Sequence, residues 1–204
     1  MGWEDYIPDD LKKLYEIHDY KHAAAILAME FPKEFEEICN ALRKFRFSKE
    51  DILVAGGNES NIPKILSSIL RPAWTEKNLS AELNVFEIDG KEKKSTGSIS
   101  HGSHKVDYLK GRVAFDLEWN SKDQTFDRDL YAFRAFFEYN AISVGVLLTR
   151  SNELDALFKE LGISSKYGAS TTHLGKLIPR LEAGRSGGCP VLVFGITTRL
   201  LSKK

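Results

Sequence analysis

The sequence predicts an α/β fold with a central mixed sheet of five to six strands flanked by helices. Residues 113–120 alternate strictly between apolar and polar side chains, as in a strand with one buried face. Residues 142–148 and 190–196 are nearly unbroken apolar runs, which are typical of central strands covered on both faces. Helical patterns lie between these segments, and strands that alternate with helices form a sheet flanked by helices.

Five segments carry helical patterns. Residues 32–46 repeat apolar side chains at three- and four-residue steps, with a proline in the first turn. Residues 56–61 form a Gly-rich loop, without the Gly-Lys-Ser/Thr of a Walker sequence, that leads into a second helix. The other helices are expected over 127–140, from 152 to Gly162, and from Thr172 to a kink or end at Pro179. Residues 90–106 are rich in Gly, Ser and Lys and predict an exposed loop.

Length and composition predict one globular domain spanning residues 1–204. The chain is 42% apolar and 28% charged, too apolar for disorder and too interrupted for a membrane span. Its 29 basic and 29 acidic residues exclude a uniformly basic nucleic-acid coat, but not a local basic surface. Cys39 and Cys189 lack metal-ligand spacing, and the N-terminus lacks an apolar signal core, so we expect a cytoplasmic protein with two structural thiols.

Three acidic residues are candidates for a metal site. Asp116 and Glu118 are two residues apart on the alternating strand and share a face, and Asp107 lies across the turn at 109–112. Carboxylate oxygens suit Mg²⁺, and clustered carboxylates without a cation raise one another's pKa. The three side chains can therefore converge on one ion. The same pattern also fits a solvent-facing strand of an ordinary antiparallel hairpin, so the spacing alone leaves both interpretations open.

The segment 107–120 resembles the active-site hairpin of the restriction endonuclease superfamily, whose signature is an acid, a variable spacer, Asp or Glu, any residue, and usually Lys. Glu118 stands at the Lys position, and the group that includes BglII, BstYI and BamHI also lacks this Lys. The nine-residue step from Asp107 to Asp116 is similar to that of BglII and BstYI. Further segments that resemble this group are 19–23, 144–146 and 190–196.

This resemblance implies a type II restriction endonuclease that cuts double-stranded DNA with Mg²⁺ as cofactor. It makes Asp107 and Asp116 Mg²⁺ ligands, and Glu118 either a third ligand or the group that orients or deprotonates the attacking water. Symmetric cutting of two strands implies a homodimer on a palindromic site. The resemblance also implies 5′-phosphate ends, a site with a GATC core, and a cognate DNA methyltransferase in the same system.

Two segments are candidates for DNA contact. Asn120, Ser121 and Lys122 follow the catalytic strand, where related enzymes place residues that contact bases or phosphates. The second segment is Ser170, Thr171, Thr172 and His173. A polar turn and a helix N-cap are the alternative interpretations of these two segments. Candidate phosphate contacts are Lys105, Lys110, Arg112, Arg128 and Lys176.

Two other functions stay open on the sequence. A nuclease of the same fold in repair or recombination would cut without a fixed palindrome, and a protein with a degenerate site would bind DNA without cutting it. Zinc is not expected, because the pairs His18/His22 and His101/His104 have no third ligand nearby. Glu59, in the Gly-rich loop, is a further candidate acid.

Overall fold

The computed structural model describes residues 2–54 and 60–202. Glu59 and most of the Gly-rich loop lie outside the described residues. The helices are α1 (Asp9–Leu14), α2 (Ala23–Glu30), α3 (Pro32–Lys44), α4 (Lys49–Leu53), α5 (Asn61–Leu70), α6 (Thr125–Glu138), α7 (Leu154–Glu160) and α8 (Leu174–Glu182). The strands are β1 (Tyr15–Tyr20), β2 (Thr75–Asp89), β3 (Glu92–Lys110), β4 (Val113–Glu118), β5 (Val144–Arg150) and β6 (Val191–Ile196).

The strands form one mixed sheet in the order β1-β6-β5-β4-β3-β2. Strands β4, β5 and β6 are parallel neighbours, whereas β1 pairs antiparallel with β6, and β3 pairs antiparallel with both β4 and β2. Helices on both faces cover the parallel strands, as a buried parallel sheet requires. The predicted α/β fold with a mixed sheet is therefore confirmed.

Helices pack on the two faces of the sheet and enclose two apolar cores. Phe115 and Leu117 of β4 belong to the core formed with α2, α3 and α5. Ala114 of β4 belongs to the opposite core, which is formed with α6 and α8. Because side chains alternate along a strand, Asp116 and Glu118 project towards the α6 face.

The structure decides between the two interpretations left open for the acidic face of β4. All six residues of β4 are buried, since α6 covers the face that carries the acids. The alternating sequence could not decide this, because acidic side chains on a strand are usually solvated. Burial of this face excludes the alternative of an ordinary exposed hairpin strand.

The segment 90–106, expected to be an exposed loop, belongs mostly to a long β-hairpin. Strand β3 pairs antiparallel with β2 from Thr75 opposite Leu109 to Asp89 opposite Glu92. Most of its residues between Glu92 and Lys105 are exposed, so the pairing rests on backbone hydrogen bonds. The sequence of this segment therefore shows no alternation of apolar and polar residues.

Helix α8 contains Pro179 and continues to Glu182, so it does not end at the proline.

In the described part of the chain, no helix is both long enough and apolar enough to cross a lipid bilayer.

Replacing Gly145 with alanine should destabilise the fold. A methyl group at this position of β5 would lie 2.4 Å from Cδ2 of Phe133 on α6, so the helix would have to shift. We expect a loss of about 1–3 kcal/mol in the free energy of unfolding, measured by denaturant titration. The control is Gly168→Ala, whose added methyl would lie 3.7 Å from the nearest atom. Equal stability of the two variants would contradict this packing.

Candidate active site

Asp107 and Asp116 meet where the pairing of β3 with β4 ends. The ladder covers only three residue pairs, from Lys110 opposite Val113 to Tyr108 opposite Phe115. Beyond it, the backbone N–H of Asp107 donates to Oδ1 of Asp116 at 2.7 Å. The backbone N–H of Leu117 donates to Oδ2 of Asp107 at 3.4 Å. Side-chain carboxylates thus accept the hydrogen bonds that backbone carbonyls would accept if the strand pairing continued. These bonds hold the two acids side by side.

A fourth carboxylate, Asp129, joins this group from α6. It is 2% exposed, and its Oδ1 lies 3.8 Å from Nε2 of His104 and 3.6 Å from Nη2 of Arg128. Asp129 is not among the site residues that the sequence predicted. It could have been found from its position on the apolar face of α6, between Phe126 and Phe133. Acidic residues are rarely buried on such a face unless they are paired.

The four carboxylates line one cavity of about 380 Å³. The cavity is bounded by Asn78, Ser103, His104, Lys105, Asp107, Asp116, Glu118, Arg128 and Asp129. Two cationic side chains, Lys105 and Arg128, therefore face four acids. The structure brings the three predicted acids to one place, and it adds Asp129 and His104 to them.

Burial raises the pKa of all four carboxyl groups. The largest cause is removal from water, which disfavours the charged form of each group. At Asp116 the neighbouring carboxylates raise the pKa further. The pKa of Asp129 is raised to about 9, by burial and then by Glu118 and Asp116. At neutral pH without a cation, Asp129 therefore holds a proton that it would release in water.

Several oxygens of these acids have no hydrogen-bond partner. Oδ2 of Asp116, Oε2 of Glu118 and Oδ2 of Asp129 are buried and unpaired. Buried polar atoms are normally satisfied, so three unpaired carboxylate oxygens beside one cavity are an unusual group. They are hard oxygen donors, and their chemistry fits a divalent cation such as Mg²⁺.

The acids line the cavity, but their side chains are not arranged as a complete set of metal ligands. Among residues 2–54 and 60–202, no three His, Cys, Asp or Glu side chains are arranged to hold a metal ion as they stand. The expectation that three acids meet at a single point is thus only partly met. Oδ1 of one of them, Asp116, accepts the hydrogen bond from the Asp107 backbone instead.

The structure joins the two segments predicted to contact DNA. Lys122 and Thr171 form an antiparallel bridge. The N–H of Thr172 donates to the carbonyl of Ser121 at 2.9 Å, and the N–H of Asp123 donates to that of Ser170 at 3.0 Å. Segments 120–123 and 170–173, far apart in sequence, are therefore one continuous surface beside the end of β4.

Individual residues of these segments differ in exposure. Lys122 and Ser170 are exposed, whereas Asn120, Ser121, Thr171 and His173 are half-buried. Thr172 is fully buried, so its side chain is not accessible to DNA in this conformation. Neither threonine caps α8, because the N-cap residue is His173.

Only two of the five candidate phosphate contacts line the cavity, namely Lys105 and Arg128. Lys110 bonds both carboxylate oxygens of Glu37, and Arg112 bonds Asn140. Lys176 lines a different cavity. The sequence could not separate these residues, because strand pairing decides which end of the sheet each one occupies.

Replacing Asp129 with asparagine should change how stability depends on pH in the metal-free protein. A carboxyl that titrates near 9 when folded, and near 3.8 when unfolded, holds an extra proton in the folded state between these values. Its contribution to stability is therefore complete below about pH 4 and is lost as the pH rises towards 9. With EDTA present, the melting temperature of Asp129→Asn should exceed that of the wild type increasingly as the pH rises.

The matched control on the same helix is Asp127→Asn, which removes the negative charge 3.0 Å from Nε of Arg180 and should show no such gain. A difference in melting temperature between wild type and Asp129→Asn that stays constant from pH 5 to pH 9 would contradict the prediction.

Comparison with known proteins adds an independent observation. Residues 15–196 match the family model described as restriction endonuclease BglII/BglIII, and no curated protein matches the chain. The match spans the sheet from β1 to β6 and includes all four acids of the cavity. The chain therefore belongs to the BglII/BglIII restriction endonuclease family and is a type II site-specific deoxyribonuclease.

Proposed function

We propose that this enzyme cuts both strands of DNA at a short palindromic site with a GATC core, depends on Mg²⁺, and leaves 5′ phosphates. The observation that carries the proposal is the set of buried, unpaired carboxylate oxygens beside a cavity that also holds Lys105 and Arg128. A protein core gains nothing from such a group, since each unpaired buried polar atom costs about 1–3 kcal/mol. The arrangement is explained if a cation occupies the site during catalysis.

Asp107, Asp116 and Glu118 are the residues we assign as ligands of this ion. Oδ1 of Asp116 accepts from the backbone N–H of Asp107, and its unpaired Oδ2 would be available to the ion. A bound divalent ion supplies neutralisation of the phosphate charge and a lower pKa for a nearby water molecule. The raised pKa values of these carboxyl groups fit this assignment, because a cation in the same place favours the charged carboxylates.

Glu118 is also the candidate for orienting or deprotonating the attacking water. It lies two residues before Asn120 and lines the cavity with one unpaired oxygen. A cation beside it would favour the ionised carboxylate, which is the form that can accept a proton from the water. Attack on phosphorus breaks the bond to the 3′ oxygen, so the products carry a 5′ phosphate and a 3′ hydroxyl.

The joined segments 120–123 and 170–173 are the proposed base-reading surface. Asn120 and Lys122 lie just after the catalytic strand β4. A phosphodiester bound at the cavity would therefore bring the bases next to that phosphate close to these two residues. A homodimer related by a two-fold axis repeats this surface on the other strand and makes the site a palindrome. A cognate DNA methyltransferase protects the host site, and the buried free thiols Cys39 and Cys189 suit the reducing cytoplasm.

The experiment that tests the function is digestion of plasmid DNA with the purified enzyme and Mg²⁺, followed by sequencing of the ends. We expect discrete fragments whose ends define one palindrome and carry 5′ phosphates. Random nicking would favour a repair or recombination nuclease of the same fold, and binding without cutting would favour a degenerate site.

Replacing Asp116 with asparagine should abolish cleavage without abolishing DNA binding. The change keeps the size of the side chain but removes the negative charge that we assign to cation binding. We expect the cleavage rate in Mg²⁺ to fall at least about 10²-fold, since cation binding at such sites is worth several kcal/mol. Binding measured in Ca²⁺ should persist.

The matched control for this variant is Asp10→Asn, which removes an exposed ion pair with Arg43 outside the cavity and should cleave at the wild-type rate. Full activity of Asp116→Asn would remove the assignment of the site.

A further inference from the structure

Arg150 is a buried cation that the catalytic proposal does not use. It ends β5 and is 1% exposed. Its only carboxylate contact in the described part of the chain is Asp155, at 3.4 Å, and the carboxylate of Asp155 is 57% exposed. The guanidinium lies over the rings of Phe158 and Tyr167, with centroids at 5.6 and 5.5 Å.

Burial of this charge has no advantage for packing alone. A buried cation with one solvent-facing counter-ion is expensive to desolvate, and an apolar side chain of similar volume would fill the same space at lower cost. The reason for an arginine here must therefore lie in the hydrogen bonds it makes. A guanidinium donates in several fixed directions at once, which an apolar side chain or a lysine does not reproduce.

Apart from the contact of Nη1 with Asp155, those hydrogen bonds reach one loop, residues 167–172. Nε donates to the carbonyl of Thr172 at 2.8 Å, and Nη2 donates to the carbonyl of Tyr167 at 3.3 Å. Nη2 also donates to Oγ1 of Thr171, which in turn donates to the carbonyl of Gly168. Arg150 thus holds the loop at both its ends from inside the fold.

The same loop pairs with the segment that follows the catalytic strand. Thr172 donates to Ser121, Asp123 donates to Ser170, and Lys122 bridges Thr171. Arg150 itself lies at the end of β5, whose residue Thr149 donates to the carbonyl of Glu118 at 2.6 Å. A short chain of contacts therefore runs from Arg150 through the loop to residues 121–123, and from β5 to Glu118.

We propose that Arg150 is a positioning residue for sequence discrimination. It fixes loop 167–172 against segment 121–123, so that two separate stretches of chain present one rigid base-reading surface, and it touches neither DNA nor the cation. The proposal rests on the proposed function, in which this surface reads the site. It predicts that weakening the contacts of Arg150 relaxes the choice of site while the chemical step survives.

The test is Arg150→Lys, which keeps the charge and loses the fork of donors. We expect the ratio of kcat/KM for the preferred site to that for sites with one changed base pair to fall by about tenfold, near the discrimination that one base contact supplies. At saturating preferred DNA, kcat should stay within about threefold of wild type, because the acids of the cavity are unchanged.

The matched control is Asp155→Asn, which removes the exposed partner of Arg150 and leaves its three loop contacts in place. Its discrimination ratio should equal that of wild type. A merely structural role for Arg150 would lower the melting temperature and the active fraction of Arg150→Lys but leave the ratio unchanged, and that result would overturn the proposal.

A second measurement needs no DNA and separates this proposal from the proposed function. The amide hydrogens of Thr172 and Asp123 bridge the two segments, so hydrogen exchange reports their pairing directly. Both should exchange faster in Arg150→Lys than in wild type. If that variant does not fold, Thr171→Val removes one acceptor of the guanidinium and should speed exchange at Thr172. Unchanged exchange would refute the positioning role, whereas faster exchange in a protein that cuts at no fixed site would refute only the proposed function.

Discussion

The burial of four carboxyl groups around one cavity is the constraint on which the rest of this structure depends. Asp107, Asp116, Glu118 and Asp129 are removed from water and repel one another when ionised, so each holds its proton more tightly than it would in solution. This arrangement makes the ionised, metal-free form of the site costly at neutral pH. In the proposed function, a divalent cation offsets that repulsion and lets an anionic phosphate approach the acids.

The fold supplies this crowding through a small number of packing contacts. Strand β4 is buried on both faces, and its short ladder with β3 stops one residue before Asp107. Helix α6 brings Asp129 to the same place, since Gly145 leaves room for Phe133 against the sheet. The proposed base-reading surface begins immediately after β4, so it is connected to the proposed catalytic acids by two or three residues of backbone.

The sequence predicted the elements whose side chains show a clear apolar pattern and failed where that pattern is weak or misleading. The apolar runs of β5 and β6 gave the parallel strands, and the spacing of Asp107, Asp116 and Glu118 gave the acidic hairpin. The β2–β3 hairpin was missed because residues such as Lys93 and Ser95 are solvated on both faces. Asp129 and Arg150 were missed for a different reason: their roles depend on contacts between elements that are distant in sequence, and composition does not encode such contacts.

The most direct test of the central claim is anomalous diffraction from crystals of the enzyme with its DNA and Mn²⁺, which replaces Mg²⁺ and scatters anomalously. The account predicts an anomalous peak in the cavity, within about 2–2.5 Å of oxygens of Asp107 and Asp116. A peak held by other residues, or no peak at the cavity with DNA bound beside β4, would contradict it.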